Sequence, residues 1–99
     1  MKLWTKIITD NRIVKEVVQE TALARPFDFD NFFPILQSLC HALDLACPVL
    51  LQSHVSDLNR FGRVVFRSSD FMEDVTFDKF EIETIPEKKK KNLIEVFYT

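Results

Sequence analysis

A single glycine, Gly62, is the feature of this 99-residue sequence that most restricts its fold and its chemistry. Average composition would give about seven glycines in a chain of this length. Loops that bind phosphate groups need several glycines at fixed spacing, because the backbone must approach the ligand closely and adopt positive φ angles. The sequence therefore excludes a dinucleotide-binding fingerprint, a P-loop and a nucleophile elbow. Gly62 itself is expected to end a short helix.

Length and composition indicate one globular domain over residues 1–99. Hydrophobic residues make up 46% of the chain, which is enough for a packed core. No apolar run approaches the roughly 18 residues of a membrane span. The first residues also lack the pattern of a signal peptide, so we expect a cytoplasmic protein. The net charge is −2 at pH 7, so we expect neither nucleic acid nor a membrane surface as a partner.

The first two apolar segments predict a β-hairpin. Residues 3–9 and 12–18 are rich in Ile, Val and Thr, and Asp10-Asn11 between them suits a two-residue turn. Such a turn places Lys6 directly opposite Lys15. Like charges in this position are unfavourable, so the side of the hairpin that carries both lysines is expected to point away from the core.

The outward side of this predicted hairpin is nevertheless apolar, with four large side chains: Trp4, Ile8, Ile13 and Val17. Phe97, on a predicted last strand, is expected to face the same way. A contiguous apolar patch of more than a few hundred Å² is rarely left exposed on a monomer. We therefore expect another protein chain to cover this side, most simply a second copy. The alternative is a covering segment within the same chain, such as residues 47–52.

The rest of the sequence predicts two helices and two or three further strands. The long helix is expected to begin at Asp30 or Asn31, with Pro34 in its first turn, and to end at Pro48. A short helix follows, capped by Ser53 and ended by Gly62. Strands are predicted at residues 64–66, 76–85 and 93–98, the last after a charged turn at 86–92. The predicted class is α+β, with two layers: a mostly antiparallel sheet of four to five strands packed under one long helix and a short helix.

Two cysteines and two histidines raise the question of a metal site or a nucleophile. Cys40, Cys47 and His54 follow one another at intervals of seven residues, and His41 is adjacent to Cys40. Zinc sites usually have cysteines two to four residues apart, and Pro48 interrupts any helix that would align these side chains. We predict no metal site, no cofactor and no catalytic residue here, and interpret the cysteines as reduced, mostly buried thiols.

The densest acidic cluster consists of Asp70, Glu73, Asp74 and Asp78. Such carboxylates could bind a cation or act as an acid and base pair, with His54, Asp57 or Arg60 nearby. The run lacks the ligand spacing and the glycine of an EF-hand loop, and apolar residues alternate with it as on a solvated face. A small enzyme or ligand-binding domain built on residues 70–78 is therefore the alternative function.

Residues 88–91 are four consecutive lysines and form the only basic run. Lysines at a turn could contact phosphate groups, but nucleic-acid sites usually add aromatic platforms or a wider basic face. Glu87 and Glu95 flank the run. A solvated turn that discourages pairing at a sheet edge is the favoured interpretation.

Two strand-like stretches carry a resemblance to other proteins. Residues 2–6 followed by 10–15, and residues 77–83, resemble a family of small uncharacterised single-domain proteins of anaerobic Gram-positive bacteria. The resemblance implies a stand-alone cytosolic domain and implies no activity, cofactor or catalytic residue. The favoured function is thus a small non-catalytic module for protein interaction or homodimerisation, through Trp4, Ile8, Ile13, Val17 and Phe97.

Overall fold

The computed structural model describes residues 1–22 and 26–85. These residues form four strands and two helices, and the α+β class is confirmed for this part of the chain. The strands are β1 (Lys2–Thr9), β2 (Arg12–Glu20), β3 (Arg63–Arg67) and β4 (Lys79–Ile85). The helices are α1 (Phe29–Ala42) and α2 (Gln52–Phe61), and a 3₁₀ turn covers Ser68–Asp70. The predicted turn at 86–92 and strand at 93–98 lie outside the described residues.

The four strands form one antiparallel sheet in the order β2-β1-β4-β3. β1 and β4 occupy the centre, and β2 and β3 are the edges. The N-terminal strand therefore pairs with a strand more than 70 residues later, with Ile7 opposite Phe80. The sequence pattern does not contain this pairing, because alternation defines the faces of a strand and not its neighbours.

The predicted hairpin and its turn are confirmed. Asp10 and Asn11 have φ angles of 52° and 63°, as a two-residue turn between twisted strands requires. Near the turn, Ile8 lies opposite Ile13 as predicted.

The predicted register is wrong beyond that point. A bulge between Ile7 and Ile8 makes Val14 the additional residue and places Ile7 opposite Lys15. Lys6 consequently lies opposite Glu16 instead of Lys15. A β-bulge shifts every later side chain of its strand to the other face. The structure thereby avoids the unfavourable lysine pair.

Helix α1 is shorter than predicted and begins earlier. Asp28 caps it: its carboxylate accepts from the Asn31 N–H at 2.8 Å, and the Asn31 side chain accepts from the Asp28 N–H at 2.9 Å. Pro34 consequently lies in the second turn and not in the first. The helix spans 14 residues and ends at Ala42, before Pro48, because Asp44 takes a left-handed φ of 58° and turns the chain.

Helix α2 ends where the sequence predicts, but its N-terminal cap is a different residue. Leu51, and not Ser53, is its N-cap. The backbone N–H of Leu51 donates to Nδ1 of the His54 ring at 2.9 Å. Gly62 ends the helix in the left-handed conformation, with φ of 74°. This confirms the structural interpretation of the single glycine.

Both helices contribute to one core with a single face of the sheet. Lys15 Nζ donates to the Leu43 carbonyl and Gln19 Nε2 to Ser38 Oγ, which places α1 over the β2 side of that face. The His54 ring of α2 lies 4.4 Å from the ring of Phe66 on β3. The largest side chains of the core are fully buried: Leu3, Phe32, Leu36, Leu39, Leu58, Phe66, Phe80 and Ile82.

Candidate functional site

The opposite face of the sheet has no described helix over it, and we call it the open face. Cross-strand partners share a face, so the register identifies its members. They are Lys2, Trp4, Lys6, Ile8, Ile13, Glu16, Val18, Glu20, Arg63, Val65, Arg67, Lys79, Glu81, Glu83 and Ile85. Three of the five predicted interface residues, Trp4, Ile8 and Ile13, belong to this face.

Val17 does not belong to the open face, and its predicted orientation is wrong. The bulge places Val17 opposite Thr5, on the core side, where it packs against the core cluster. Val18 takes its place on the open face, opposite Trp4. Phe97 lies outside the described residues. The alternative prediction was that residues 47–52 cover the outward face of the hairpin. They do not, because Leu50 of that segment belongs to the core on the other side of the sheet.

The centre of the open face is a cluster of charges around Lys6. Lys6 Nζ donates to Glu83 Oε1 at 2.9 Å and lies 3.5 Å from Glu81 Oε2. Arg63 lies 3.6 Å from the same oxygen of Glu81. Lys6 is only 6% exposed and Glu81 8%, so the two carboxylates compensate an ammonium group that has lost most of its water.

Trp4 is held next to this cluster. Its indole Nε1 donates to Glu16 Oε1 at 2.7 Å, and Lys6 Nζ lies 3.8 Å from the ring centre. The ring is half-buried. One face of the indole thus contacts a cation, an arrangement that stabilises both groups. Trp4 is a positioned part of the surface and not a loose exposed side chain.

The apolar part of the open face lies at the β2 edge of the sheet. Ile13 is 45% exposed and Val18 54%, while Ile8 is half-buried between the strands. Val14, the additional residue of the bulge, is 57% exposed on the same strand. Because β2 is an edge strand, one row of its backbone N–H and C=O groups has no partner strand within the described part of the chain.

A separate cleft of about 920 Å³ lies beside β3 and is lined by residues of α2 and β3 together with Asp70 and Glu83. His54 is its one imidazole. Nδ1 accepts the Leu51 N–H, and Nε2 lies 3.6 Å from Asp70 Oδ2. Since the Nδ1 lone pair already accepts the Leu51 N–H, this nitrogen is not available to accept a proton from a substrate. The arrangement indicates that His54 stabilises the start of α2.

The predicted acidic cluster does not converge on this cleft. Asp70 lines it and accepts the Arg67 N–H at 2.9 Å. Glu73 and Asp74 are exposed and line a different, shallow hollow of about 240 Å³. Asp78 accepts the Asp10 N–H at 2.9 Å and so holds the hairpin turn. The four carboxylates occupy three separate places, so they do not form the single converging site that the sequence suggested.

The two cysteines, by contrast, come together. Both are free thiols, with Cys40 buried and Cys47 half-buried. The two side chains lie close enough for each to affect the pKa of the other. His41 points to solvent from the exposed side of α1. In residues 1–22 and 26–85, no group of three or more His, Cys, Asp or Glu side chains is arranged to hold a metal ion.

Comparison with known proteins found no matching family model, no matching curated protein and no matching solved structure. The resemblance to small proteins of anaerobic Gram-positive bacteria therefore stays a prediction. Within the described residues, neither helix has the length and apolar character needed to cross a membrane.

The charge cluster is the feature that the sequence alone did not identify. Glu81 and Glu83 alternate with Phe80 and Ile82 in the sequence, and this alternation puts the two glutamates on the strand face opposite these core residues. Their partner Lys6 is 75 or more positions away in the chain. The sequence did contain a signal for this cluster. Lys6 lies between Trp4 and Ile8 on one strand face, and a second strand carries an alternating pair of glutamates.

Proposed function

We propose that the chain is a small non-catalytic interaction module that forms a homodimer through the open face of its sheet. The contact residues are Trp4, Ile8, Ile13 and Val18, the last replacing Val17. The observation that carries the proposal is the exposed apolar strip on β2, next to a tryptophan that is already fixed in position. Interfaces favour such aromatic anchors, because a rigid ring buries a large area with little loss of conformational entropy.

Charge complementarity favours a second copy as the partner. The sign of the charge alternates from strand to strand across the open face. Acidic residues lie on β2 (Glu16, Glu20) and β4 (Glu81, Glu83), and basic residues on β1 (Lys2, Lys6) and β3 (Arg63, Arg67), with Lys79 of β4 as the exception. A surface with this pattern is complementary to itself.

The pattern also selects the orientation of the two copies. A two-fold axis in the interface and parallel to the strands places β2 of one copy over β3 of the other, and β1 over β4. Each acidic strand then lies over a basic one, and the apolar side chains of β2 pack against the aliphatic stems of Arg63 and Arg67 on β3. The contact is isologous, as in most homodimers, and the two sheets pack face to face about 10 Å apart.

Sedimentation equilibrium of the wild-type protein and an Ile13→Glu/Val18→Lys double variant tests the proposal. Both side chains are about half exposed, so the double variant is expected to keep the wild-type circular dichroism spectrum and denaturation midpoint. We expect a dimer for the wild type at high micromolar concentration and a monomer for the double variant. Met72→Glu is the matched control, because Met72 is 89% exposed and lies outside the sheet.

Two results would contradict the dimer: a monomeric wild type at that concentration, or a double variant that associates as strongly as the wild type. The orientation has its own test. Arg67→Glu places a carboxylate on β3 and should weaken association, and added salt should weaken association of the wild type. Unchanged association in both measurements would exclude the proposed pairing of acidic and basic strands.

A further inference from the structure

The turn after α1 brings two distant thiols together. Asp44, in the left-handed conformation, donates its N–H to the His41 carbonyl at 3.1 Å, and Leu45 donates to the Cys40 carbonyl at 2.9 Å. These two bonds form a Schellman motif, which reverses the chain over the last helical turn. The reversed chain brings Cys47 close enough to Cys40 for the two side chains to influence each other's pKa.

The two thiols differ in accessibility. Cys40 is 2% exposed and belongs to the core, whereas Cys47 is half-buried at the margin of the core. Burial raises the pKa of both thiols. The neighbouring Cys40 side chain acts in the opposite direction on Cys47 and lowers its pKa. Cys47 is therefore the thiol that an external reagent reaches and the one better able to form a thiolate.

We propose that Cys40 and Cys47 form a redox-active dithiol that a small disulfide such as glutathione disulfide oxidises to an intramolecular disulfide. Cys47 is the attacking thiol and Cys40 the resolving thiol. The site is on the helix side of the sheet, so its oxidation does not depend on the proposed dimer.

The reaction proceeds in two exchange steps. Cys47 loses its proton to solvent, and its thiolate attacks one sulfur of glutathione disulfide, releasing one glutathione thiolate and leaving a mixed disulfide at Cys47. Cys40 then loses its proton, attacks the Cys47 sulfur and releases the second glutathione. The two protein thiols lose two electrons and two protons, and glutathione disulfide gains them as two glutathione thiols.

Because thiolates carry out both steps and burial raises the pKa of both cysteines, oxidation should be slow at neutral pH and accelerate as the pH rises. The neighbouring position of Cys40 should make the second step faster than the first. The mixed disulfide is then not expected to accumulate in the wild-type protein.

Mass spectrometry of the folded protein in glutathione buffers tests the proposal. After quenching with an alkylating reagent, we expect oxidised wild-type protein to be lighter than the reduced protein by two hydrogen atoms and to carry no alkyl group on either cysteine. Cys40→Ser should stop at the mixed disulfide and be heavier by one glutathione. Cys47→Ser should react much more slowly, because its remaining thiol is buried.

The two serine variants control for each other, since each retains one thiol and changes a single sulfur to oxygen. Circular dichroism establishes that each is folded. A wild-type protein that keeps two alkylatable thiols in pure glutathione disulfide at alkaline pH would overturn the proposal. Equal rates of glutathione addition to the two variants would overturn the assignment of Cys47 as the attacking thiol.

Discussion

The Lys6 ammonium group lies 3.8 Å from the centre of the Trp4 indole ring, on a sheet face that no described helix covers. The same nitrogen donates to Glu83 at 2.9 Å. Residues i and i+2 of a strand share a face, so the first strand by itself brings Lys6 beside Trp4. Only the pairing of β1 with β4 supplies the two glutamates that make a nearly buried ammonium group stable there.

Replacing Lys6 is expected to destabilise the fold. Lys6→Ala removes the cation shared by Glu81 and Glu83 and should lower the free energy of unfolding by about 2 kcal/mol, because a buried carboxylate loses its principal partner. Urea denaturation followed by tryptophan fluorescence measures the loss. Lys2→Met is the control on the same strand and face. Lys2 is exposed, and its change should stay within about 0.5 kcal/mol. Equal effects of the two substitutions would show that the cluster contributes nothing.

Thr5 offers a substitution that should stabilise the protein. Its side chain is fully buried on the core side of β1, and no described group gives Oγ1 a hydrogen-bond partner. Thr5→Val exchanges an unsatisfied hydroxyl for a methyl group of similar shape and should raise the free energy of unfolding by about 1 kcal/mol.

Thr84 is the matched control for Thr5. It also lies on the core side of the sheet, but its hydroxyl donates to the Gly62 carbonyl at 2.9 Å. Thr84→Val should lower the free energy of unfolding by about 1 kcal/mol, because a satisfied hydrogen bond is lost. Thermal denaturation of both variants gives the comparison. Changes of the same sign would refute the assignment of the two hydroxyl environments.

The left-handed turn at Asp44 predicts opposite effects for two small substitutions. Asp44 has a φ of 58°, which a residue with a Cβ adopts at a cost. Asp44→Gly should raise the free energy of unfolding by about 0.5 kcal/mol, and Asp44→Ala should lower it by a similar amount. Urea denaturation of the three proteins measures both. A glycine variant less stable than the alanine variant would contradict the role of this turn in ending α1.

Stability should fall in alkaline solution through Cys40. Burial raises the pKa of this thiol, and the neighbouring Cys47 raises it further. The folded protein then holds the proton more tightly than the unfolded chain, in which the pKa is about 8.5. The contribution to stability is complete below that value and is lost as the pH rises above it towards the folded-state pKa.

Urea denaturation between pH 7 and pH 10 under reducing conditions measures this dependence. Cys40→Ala should show a shallower decline than the wild type, although it is less stable at every pH because the core loses a sulfur atom. The comparison of slopes removes the contributions of other groups that titrate in the same range. Parallel declines would show that the thiol does not titrate differently in the two states.

The sequence predictions that depend on neighbouring residues were correct more often than those that depend on residues far apart in the chain. The turn at Asp10-Asn11 and the left-handed Gly62 were predicted correctly, because each depends on the residues next to it. The register of the hairpin was predicted wrongly, although its two strands are adjacent in the sequence. The bulge leaves one residue unpaired and in return places Lys6 opposite the oppositely charged Glu16. The sequence contains only a weak signal for such a bulge.

The extent of α1 shows the same limit. Pro48 cannot continue a helix, so it marks the last possible end, but the helix ends earlier where Asp44 turns. An aspartate can adopt left-handed geometry, and it also occurs inside helices at a modest cost in free energy. The core decides between them, because the turn allows Leu43 and Leu50 to be buried together.

The sequence by itself determined the elements that local chemistry specifies: the first hairpin, the single glycine at the end of α2, and the outward glutamates of the last described strand. Tertiary structure alone decided which strands are neighbours, which valine faces outward, and which distant groups meet. Lys6 with Glu81 and Glu83, and Cys40 with Cys47, are such meetings. Side-chain periodicity sets the direction of each residue within its own element, whereas contacts between elements depend on how the whole chain buries its apolar surface.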